Sequence, residues 1–168
     1  MQILELSHEL VRTHSQAIIE SLDQIPLTAP HTLAGLLAMA KPERPFLEKW
    51  RHSLIALDEV NHFVGIAIGY ERASEGNVLY PADSIYLNDF AIHPDFQHQG
   101  LGKKLLLAFL THNRQVGFLA LSGDLAFSVQ TNAAAFNVHV QRLYESVGFR
   151  SIGQKVYDNR TDTVYWLE

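Results

Sequence analysis

The chain has 168 residues, 47% hydrophobic and 18% charged, the balance of an ordinary globular domain with room for a real core. A net charge of −5 argues against a nucleic-acid partner, which usually meets a basic excess, and zero cysteines exclude disulfides, zinc–thiolate sites and thiol nucleophiles. The opening "MQILELSHEL" lacks the basic start of a secretory leader, and no apolar run approaches the roughly 20 residues that span a bilayer, so the expectation is one domain over residues 1–168, in the cytoplasm and off the membrane.

"MQILELS" reads as a short opening strand. Residues 8–22 read as one helix, with Leu10, Val11, Ile18, Ile19 and Leu22 on its apolar face, and Pro26 and Pro30 break the chain after it. "HTLAGLLAMA" at 31–40 reads as a second helix, with Thr32 at its start and Pro42 beyond it. "SLIALD" at 53–58 and "HFVGIAIGY" at 62–70 read as strands joined by a turn at 59–61. Residues 71–83, with Gly76 and Pro81, read as a loop before the strand "SIYLNDFAI" at 84–92, which Pro94 ends. Residues 100–116 make the clearest helix, with Gly117 placed to stop it. The next strand has two candidate positions, "FLAL" at 118–121 or "LAFSV" at 125–129. A helix follows to about Val147, capped by Gly148. Strands in "RSIGQKVYD" and "DTVYWLE" close the chain, with a turn at 159–161 and a period-2 pattern in the last that suits a sheet edge and a homodimer joined there. The order β-α-α-β-β-β-α-β-α-β-β implies a mixed sheet with helices on both faces, an α/β fold.

"QHQGLGKK" at 97–104 sits between the fourth strand and its helix. A helix start exposes unpaired amides and a partial positive charge, and glycine permits close approach, so the turn suits an anion such as a phosphate. A Walker loop needs Gly, four residues, then Gly-Lys-Ser/Thr, and a dinucleotide fingerprint needs a third glycine where Leu105 stands; both fail. The bland alternative is a glycine-rich helix start packed closely on the sheet.

"FAIHPDFQHQGLGKKLLLAFL" resembles motif A of the GNAT superfamily of N-acetyltransferases, with Gln97, Gly100 and Gly102 at the defining places and Ile92 and Pro94 at the strand end. "NVHVQRLYESVGF" resembles a second GNAT block through Asn137, Leu143, Tyr144, Gly148 and Phe149, with Val140 in place of an alanine. The two blocks cover roughly residues 84–150. The resemblance implies a mostly antiparallel central sheet flanked by helices and acetyl-CoA as cofactor. It implies that the fourth and fifth strands splay to admit that cofactor. The backbone of Phe90, Ala91 and Ile92 would pair with the pantetheine arm. The amides of Gln97, His98, Gln99, Gly100, Leu101, Gly102 and Lys103 would hold the pyrophosphate, and Asn137 would reach the cofactor from the other side.

Acetyl transfer to an amine needs a base for the amine, a donor for the oxyanion and an acid for the departing thiolate. The resemblance puts Tyr144 at the acid position; without it, Tyr144 reads as a core tyrosine. A base position filled by glutamate in polyamine-acetyltransferase-like members is Asn88 here, which cannot take the proton as a carboxylate would. Asp89 points to the other face of a regular strand unless a bulge re-aims it. Ordered water is the favoured base, Asp89 the second choice, and His93 reads mainly as a surface residue before a proline. The nine scattered histidines form no helical His-x₃-His pair, so no metal is assigned.

The resemblance draws the acceptor pocket from residues 8–48, 71–83 and 153–165. These carry Glu20, Asp23, Glu43, Glu48, Glu71, Glu75 and Asp83, which suit either a cationic amine or a solvated face. Tyr80, Tyr86, Tyr157 and Trp166 would line a pocket or fill the core. The expectation is acetyl transfer to a primary amine of a small molecule, polyamine or amino-acid-like. The alternatives are a protein N-terminus or lysine as acceptor, and a module that binds acyl-CoA without chemistry.

Overall fold

Seven strands carry the architecture among the described residues: β1 (Gln2–Glu5), β2 (Leu54–Leu57), β3 (Phe63–Arg72), β4 (Ser84–Ile92), β5 (Val129–Ala134), β6 (Arg150–Val156) and β7 (Thr161–Leu167). They form one sheet in the order β1-β2-β3-β4-β5-β7-β6 in a computed structural model that describes residues 1–25, 29–40, 49–118 and 127–168. Only β4 and β5 run parallel; the other neighbours are antiparallel. Five α-helices among the described residues cover the sheet: α1 (His8–Thr13), α2 (Ser15–Leu22), α3 (Leu33–Ala38), α4 (Leu101–Val116) and α5 (Val138–Glu145).

Strand alternation sets the layers. Leu54 and Ala56 of β2, with Val64 and Ala67 of β3, pack with Leu105, Leu106 and Phe109 of α4 and Tyr144 of α5. Ile55 and Leu57, with Ile66 and Ile68, face the other way onto Val11, Ile18, Leu22 and Leu36 of α1, α2 and α3. Each such aliphatic side chain contributes about 1.5–3 kcal/mol when fully buried. Both faces of β2 and β3 are apolar because both are covered, the mixed α/β arrangement expected.

Local chemistry sets the ends. Ser7 caps α1 by accepting from the Leu10 amide at 3.2 Å, and Thr32 caps α3 by accepting from Gly35 at 3.0 Å. The turn after β2 is wound on Asp58, whose Oδ1 accepts from the amides of Val60 at 2.9 Å and His62 at 2.8 Å. Gly117 ends α4 at φ 64°, as its position predicts.

Four readings need correction. The helix over 8–22 is two helices, because the chain breaks at His14 and the Ser15 hydroxyl donates to the Arg12 carbonyl at 3.1 Å. The fifth described strand is Val129–Ala134, which takes Val129 of "LAFSV" but not Phe127 or Ser128; Leu125 and Ala126, and Leu119, Ala120 and Leu121 of "FLAL", lie outside the described residues, as do Pro26 and Pro42. The late helix is shorter than predicted, Val138–Glu145, and ends in a turn to Gly148 at φ 102°. Finally, β7 is not an edge: it lies between β5 and β6, and the polar β6 forms the border with β1 at the other side.

His52, Asn113 and Glu71 join the layers from inside. His52 Nδ1 lies 2.7 Å from Asn113 Oδ1 and Nε2 lies 3.2 Å from Glu71 Oε1, with all three side chains buried. Asn113 also donates to the carbonyls of His52 at 3.3 Å and Phe109 at 3.0 Å. Removing one partner leaves buried polar groups unpaired. Asn113→Ala is therefore expected to lower unfolding free energy by about 2–3 kcal/mol, read as a shifted urea midpoint with unchanged slope.

Candidate active site

The parallel seam is only three pairs long: Ile85 with Val129, Tyr86 with Gln130 and Leu87 with Thr131. Its last link is a side chain, the Thr131 hydroxyl donating to the Leu87 carbonyl at 3.0 Å. Beyond it β4 runs on to Ile92 paired only with β3, and β5 runs on to Ala134 paired only with β7. The two strands therefore part into a wedge whose walls carry backbone groups with no strand opposite.

A bulge stands at the mouth of the wedge. Ile68 faces Asp89 while Gly69 faces Leu87, so Asn88 is the extra residue on β4. The bulge changes which side chains share a face. Ile85 and Leu87 belong to the α4–α5 layer before it, and Phe90 and Ile92 pack on that layer after it. Asp89 is thereby turned to the same side as Ala91, which packs in the α1–α3 layer. Asp89 is buried and accepts from Asn88 Nδ2 at 2.5 Å. That bond turns the Asn88 amide oxygen away from Asp89.

At the far end of the wedge, Gly100 stands at φ 76° immediately before α4. The first turn of α4 presents amides that no helical carbonyl satisfies. The Gln97 side chain ties this turn to the strand by donating to the Ile92 carbonyl at 2.9 Å. A Cβ at Gly102 would stand 3.6 to 3.8 Å from Ile92, Leu143 and Phe90, in the floor of the opening. These features leave room for a phosphate against backbone amides. Wedge and turn open into one cleft of about 560 Å³, lined among others by Asn88, Phe90, Ile92, Gly102, Asn132, Asn137 and Tyr144.

Tyr144 of α5 sits in the wall of that cleft, 3% exposed and flanked by the rings of Phe149 at 5.5 Å and Tyr165 at 5.7 Å. Its hydroxyl lies 3.4 Å from Thr131 Oγ1. Since Thr131 gives its own proton to Leu87, the tyrosine proton can turn to Thr131 or to the cleft. Burial pushes the Tyr144 pKa up to about 12, with Asp89 and Tyr165 adding to the rise against a partial offset from Thr131. Burial, chiefly, also raises the Tyr86 hydroxyl well above its ordinary value.

A family model described as an acetyltransferase (GNAT) domain matches residues 49–151. The chain belongs to the GNAT acetyltransferase family. It is an acetyl-CoA-dependent N-acetyltransferase, and its mixed, mostly antiparallel sheet flanked by helices is the GNAT fold. Among solved structures the chain is similar to yncA of Salmonella typhimurium with its cofactor acetyl-CoA, at TM-score 0.71 and 18% identity over 99% of this chain and 92% of that one. It is similar to Ard1 of Thermoplasma volcanium at TM-score 0.69 and 19% identity, over 99% and 95% of the two chains. It is also similar to a phosphinothricin acetyltransferase of Sinorhizobium meliloti in complex with acetyl-CoA, at 0.69 and 16%, over 99% and 86%. No curated protein matches the chain.

Within this GNAT chain the cleft gathers most of the residues that the motifs point to. Asn88, Phe90, Ala91, Ile92, Gln97, His98, Gly100, Leu101, Gly102, Asn137 and Tyr144 line it. Asp89, Gln99 and Lys103 are not among the lining residues. Gln99 donates to the Asp95 carbonyl at 3.0 Å, and the Lys103 ammonium donates to the Ser146 carbonyl at 3.3 Å. Asn137 caps α5, its Oδ1 accepting from Val140 at 3.3 Å.

Sequence reading missed Asn132. It lies on β5, the strand placed too early, and its side-chain oxygen is buried in the cleft wall without a hydrogen-bond partner. It also missed Asp162 and Arg160 from the last hairpin, which line the cleft and pair at 3.0 Å. None of the described acidic residues expected near the acceptor lines it. Glu71 is buried against His52, Asp23 accepts from His31, Glu75 meets Arg72, Asp83 accepts from Ser74, and Glu20 accepts from Gln16. Glu43 and Glu48 lie outside the described residues. Among the described residues, no group of three or more His, Asp or Glu is arranged to hold a metal, and no helix is long and apolar enough to cross a membrane.

Proposed function

We propose that the chain moves an acetyl group to a primary amine of a small molecule by direct attack in a ternary complex, as one catalytic domain in the cytoplasm. One observation carries the reading: the cleft that suits the cofactor is lined not only by Asn88 and Tyr144 but also by Ser21, Gln24 and Ile25 from the α2 end of the chain and Tyr157 and Arg160 from the last hairpin. Elements from both ends of the chain thus bound the space for a compact acceptor.

Bound acetyl-CoA supplies the activated acetyl thioester. The first turn of α4 offers its amides to the pyrophosphate, and the open backbone of Phe90, Ala91 and Ile92 offers strand-like hydrogen bonds. Tyr144 holds a proton at neutral pH because burial raises its pKa, and its hydroxyl can donate a hydrogen bond to the sulfur as negative charge develops there. Asn88 and Asn132 line the cleft with amide side chains. An amide oxygen orients an N–H or a water but does not take its proton near neutrality. The proton of the attacking amine therefore leaves to water, and kcat/KM is expected to rise with pH until the amine itself is deprotonated.

Thiol release from acetyl-CoA over a panel of small amines and peptides tests the reading. Turnover confined to peptides would replace it with a protein acceptor. Asn132→Ala is expected to lower kcat/KM for the amine by about tenfold with KM for acetyl-CoA unchanged. Equal loss toward both substrates would instead assign Asn132 to the wall of the cofactor site.

A further inference from the structure

Four cations and four tyrosine rings form a chain of contacts that reaches the cleft. The Lys49 ammonium lies 5.0 Å from the centre of the Tyr70 ring, and Tyr70 meets Tyr86 edge-on at 5.4 Å. The Arg72 guanidinium lies 4.9 Å from Tyr86 and 3.8 Å from Tyr80. The Lys155 ammonium lies 5.5 Å from Tyr80 and 5.3 Å from Tyr157, and Arg160 lies 5.0 Å from Tyr157. Tyr86, Tyr157 and Arg160 line the cleft itself.

Most of these cations have a carboxylate. Lys49 feels the charge of Asp89, Arg72 meets Glu75 at 3.3 Å and Arg160 meets Asp162 at 3.0 Å. Among the described residues, Lys155 has no carboxylate within ion-pair distance; its ammonium donates to the Tyr80 hydroxyl at 3.1 Å. That contact and the two rings favour its charged form. Lys155 does not itself line the cleft, but it stands opposite Asp162 in the β6–β7 register and two residues before Tyr157, both of them lining residues. Arg160 and Asp162, which line the cleft, offset each other, so the Lys155 ammonium is the surplus charge beside them. A second ammonium on a polyamine would meet like charge here, whereas an anion would meet an ammonium, a guanidinium and phenol donors.

We infer that the acceptor is an amine carrying an anionic group, a carboxylate or a phosphate, which Lys155 holds beside the cleft lining, with Arg160 next to it, while the amine points inward to Asn88. The inference rests on the small-amine reading above and narrows it.

The test has two arms on the full chain. In the first, kcat/KM is measured for aspartate, phosphoethanolamine, a dipeptide with an acidic second residue, and putrescine. The anionic amines are expected to exceed putrescine at least tenfold, and the best of the three names the source of the anion. Lys155→Gln is expected to raise KM for that amine about tenfold or more with kcat and KM for acetyl-CoA unchanged, and Lys155→Arg to restore most of it. Putrescine turned over as well as the anionic amines, or a Lys155→Gln enzyme with unchanged KM, overturns the inference and leaves the transferase reading standing. In the second arm, calorimetry measures binding of the same amines to CoA-saturated protein. Anionic binding weakened by Lys155→Gln, without turnover of any amine, keeps Lys155 as an anion site but overturns the inference that its occupant is the acceptor. Absence of both binding and turnover for the anionic amines overturns the inference outright.

Discussion

Tyr144→Phe is expected to lower kcat by about 100-fold or more while KM for acetyl-CoA changes little. The ring stays, so the contacts with Phe149 and Tyr165 persist and the fold is kept. Only the proton donor goes. The pH profile separates this role from a packing role. With the Tyr144 pKa pushed up to about 12, its ionisation should cause no fall in rate below about pH 10, so the wild-type profile rises through the amine's own pKa and then stays flat. The variant should keep that rise at a uniformly lower level. A rate within twofold of wild type would remove the acid role. The same shift has a stability consequence with a definite sign. A tyrosine raised on folding stabilises the protein fully below its unfolded value of about 10. That contribution is lost as pH climbs through the folded value, so alkaline denaturation of Tyr144→Phe should be less steep than that of wild type between those limits.

Gly102→Val is expected to weaken acetyl-CoA binding about 100-fold, measured by calorimetry, with the melting temperature shifted by only a few degrees. A Cβ at Gly102 meets Ile92, Leu143 and Phe90 at ordinary contact distances, so the protein accommodates it, but the branched methyls fill the opening over the helix start. Amide–anion interactions there are worth about 0.3–1 kcal/mol each and more when partly buried, so losing several amounts to the stated factor. Gly100→Ala is the contrasting control. It has open space around it but φ 76°, so its cost of about 1 kcal/mol is backbone strain. That variant should lose stability with affinity held within about fivefold. Wild-type affinity in Gly102→Val would place the pyrophosphate elsewhere.

The strand–turn–helix over 84–116 was legible because its signals are local: a proline after the strand, two glycines, an apolar run and a terminal glycine. The second block was legible through Asn137, Tyr144 and Gly148. What failed was non-local. "VQTNAA" is more polar than either neighbouring candidate, yet it is the strand, because Gln130, Thr131 and Asn132 serve the seam and the cleft rather than a packed interior. "DTVYWLE" has the pattern of a half-covered border, but β7 is paired on both sides and buried from Asp162 to Trp166, since β5 returns to it across the intervening helix. Spacing cannot reveal such a non-consecutive pairing. The acidic residues misled for the same reason: their partners, such as His52 for Glu71 at 19 residues' separation, are set by packing. Asp89 was the reverse case. A bulge was named as a device able to re-aim it, and the bulge is there, yet Asp89 accepts from Asn88 and is not among the residues that line the cleft.

The three-pair seam is the narrow join between two antiparallel parts of the one sheet. Strands β1 to β4 form one part and β5, β7 and β6 the other, joined along a line that ends at the Thr131–Leu87 bond. The side chains that clamp the join, Ile85, Leu87, Val129 and Tyr144, share one packed layer. Anything seated in the wedge therefore touches both parts where they have separated. The narrow seam and the candidate site thus share one place, since Tyr144, which lines the cleft, also packs against the seam.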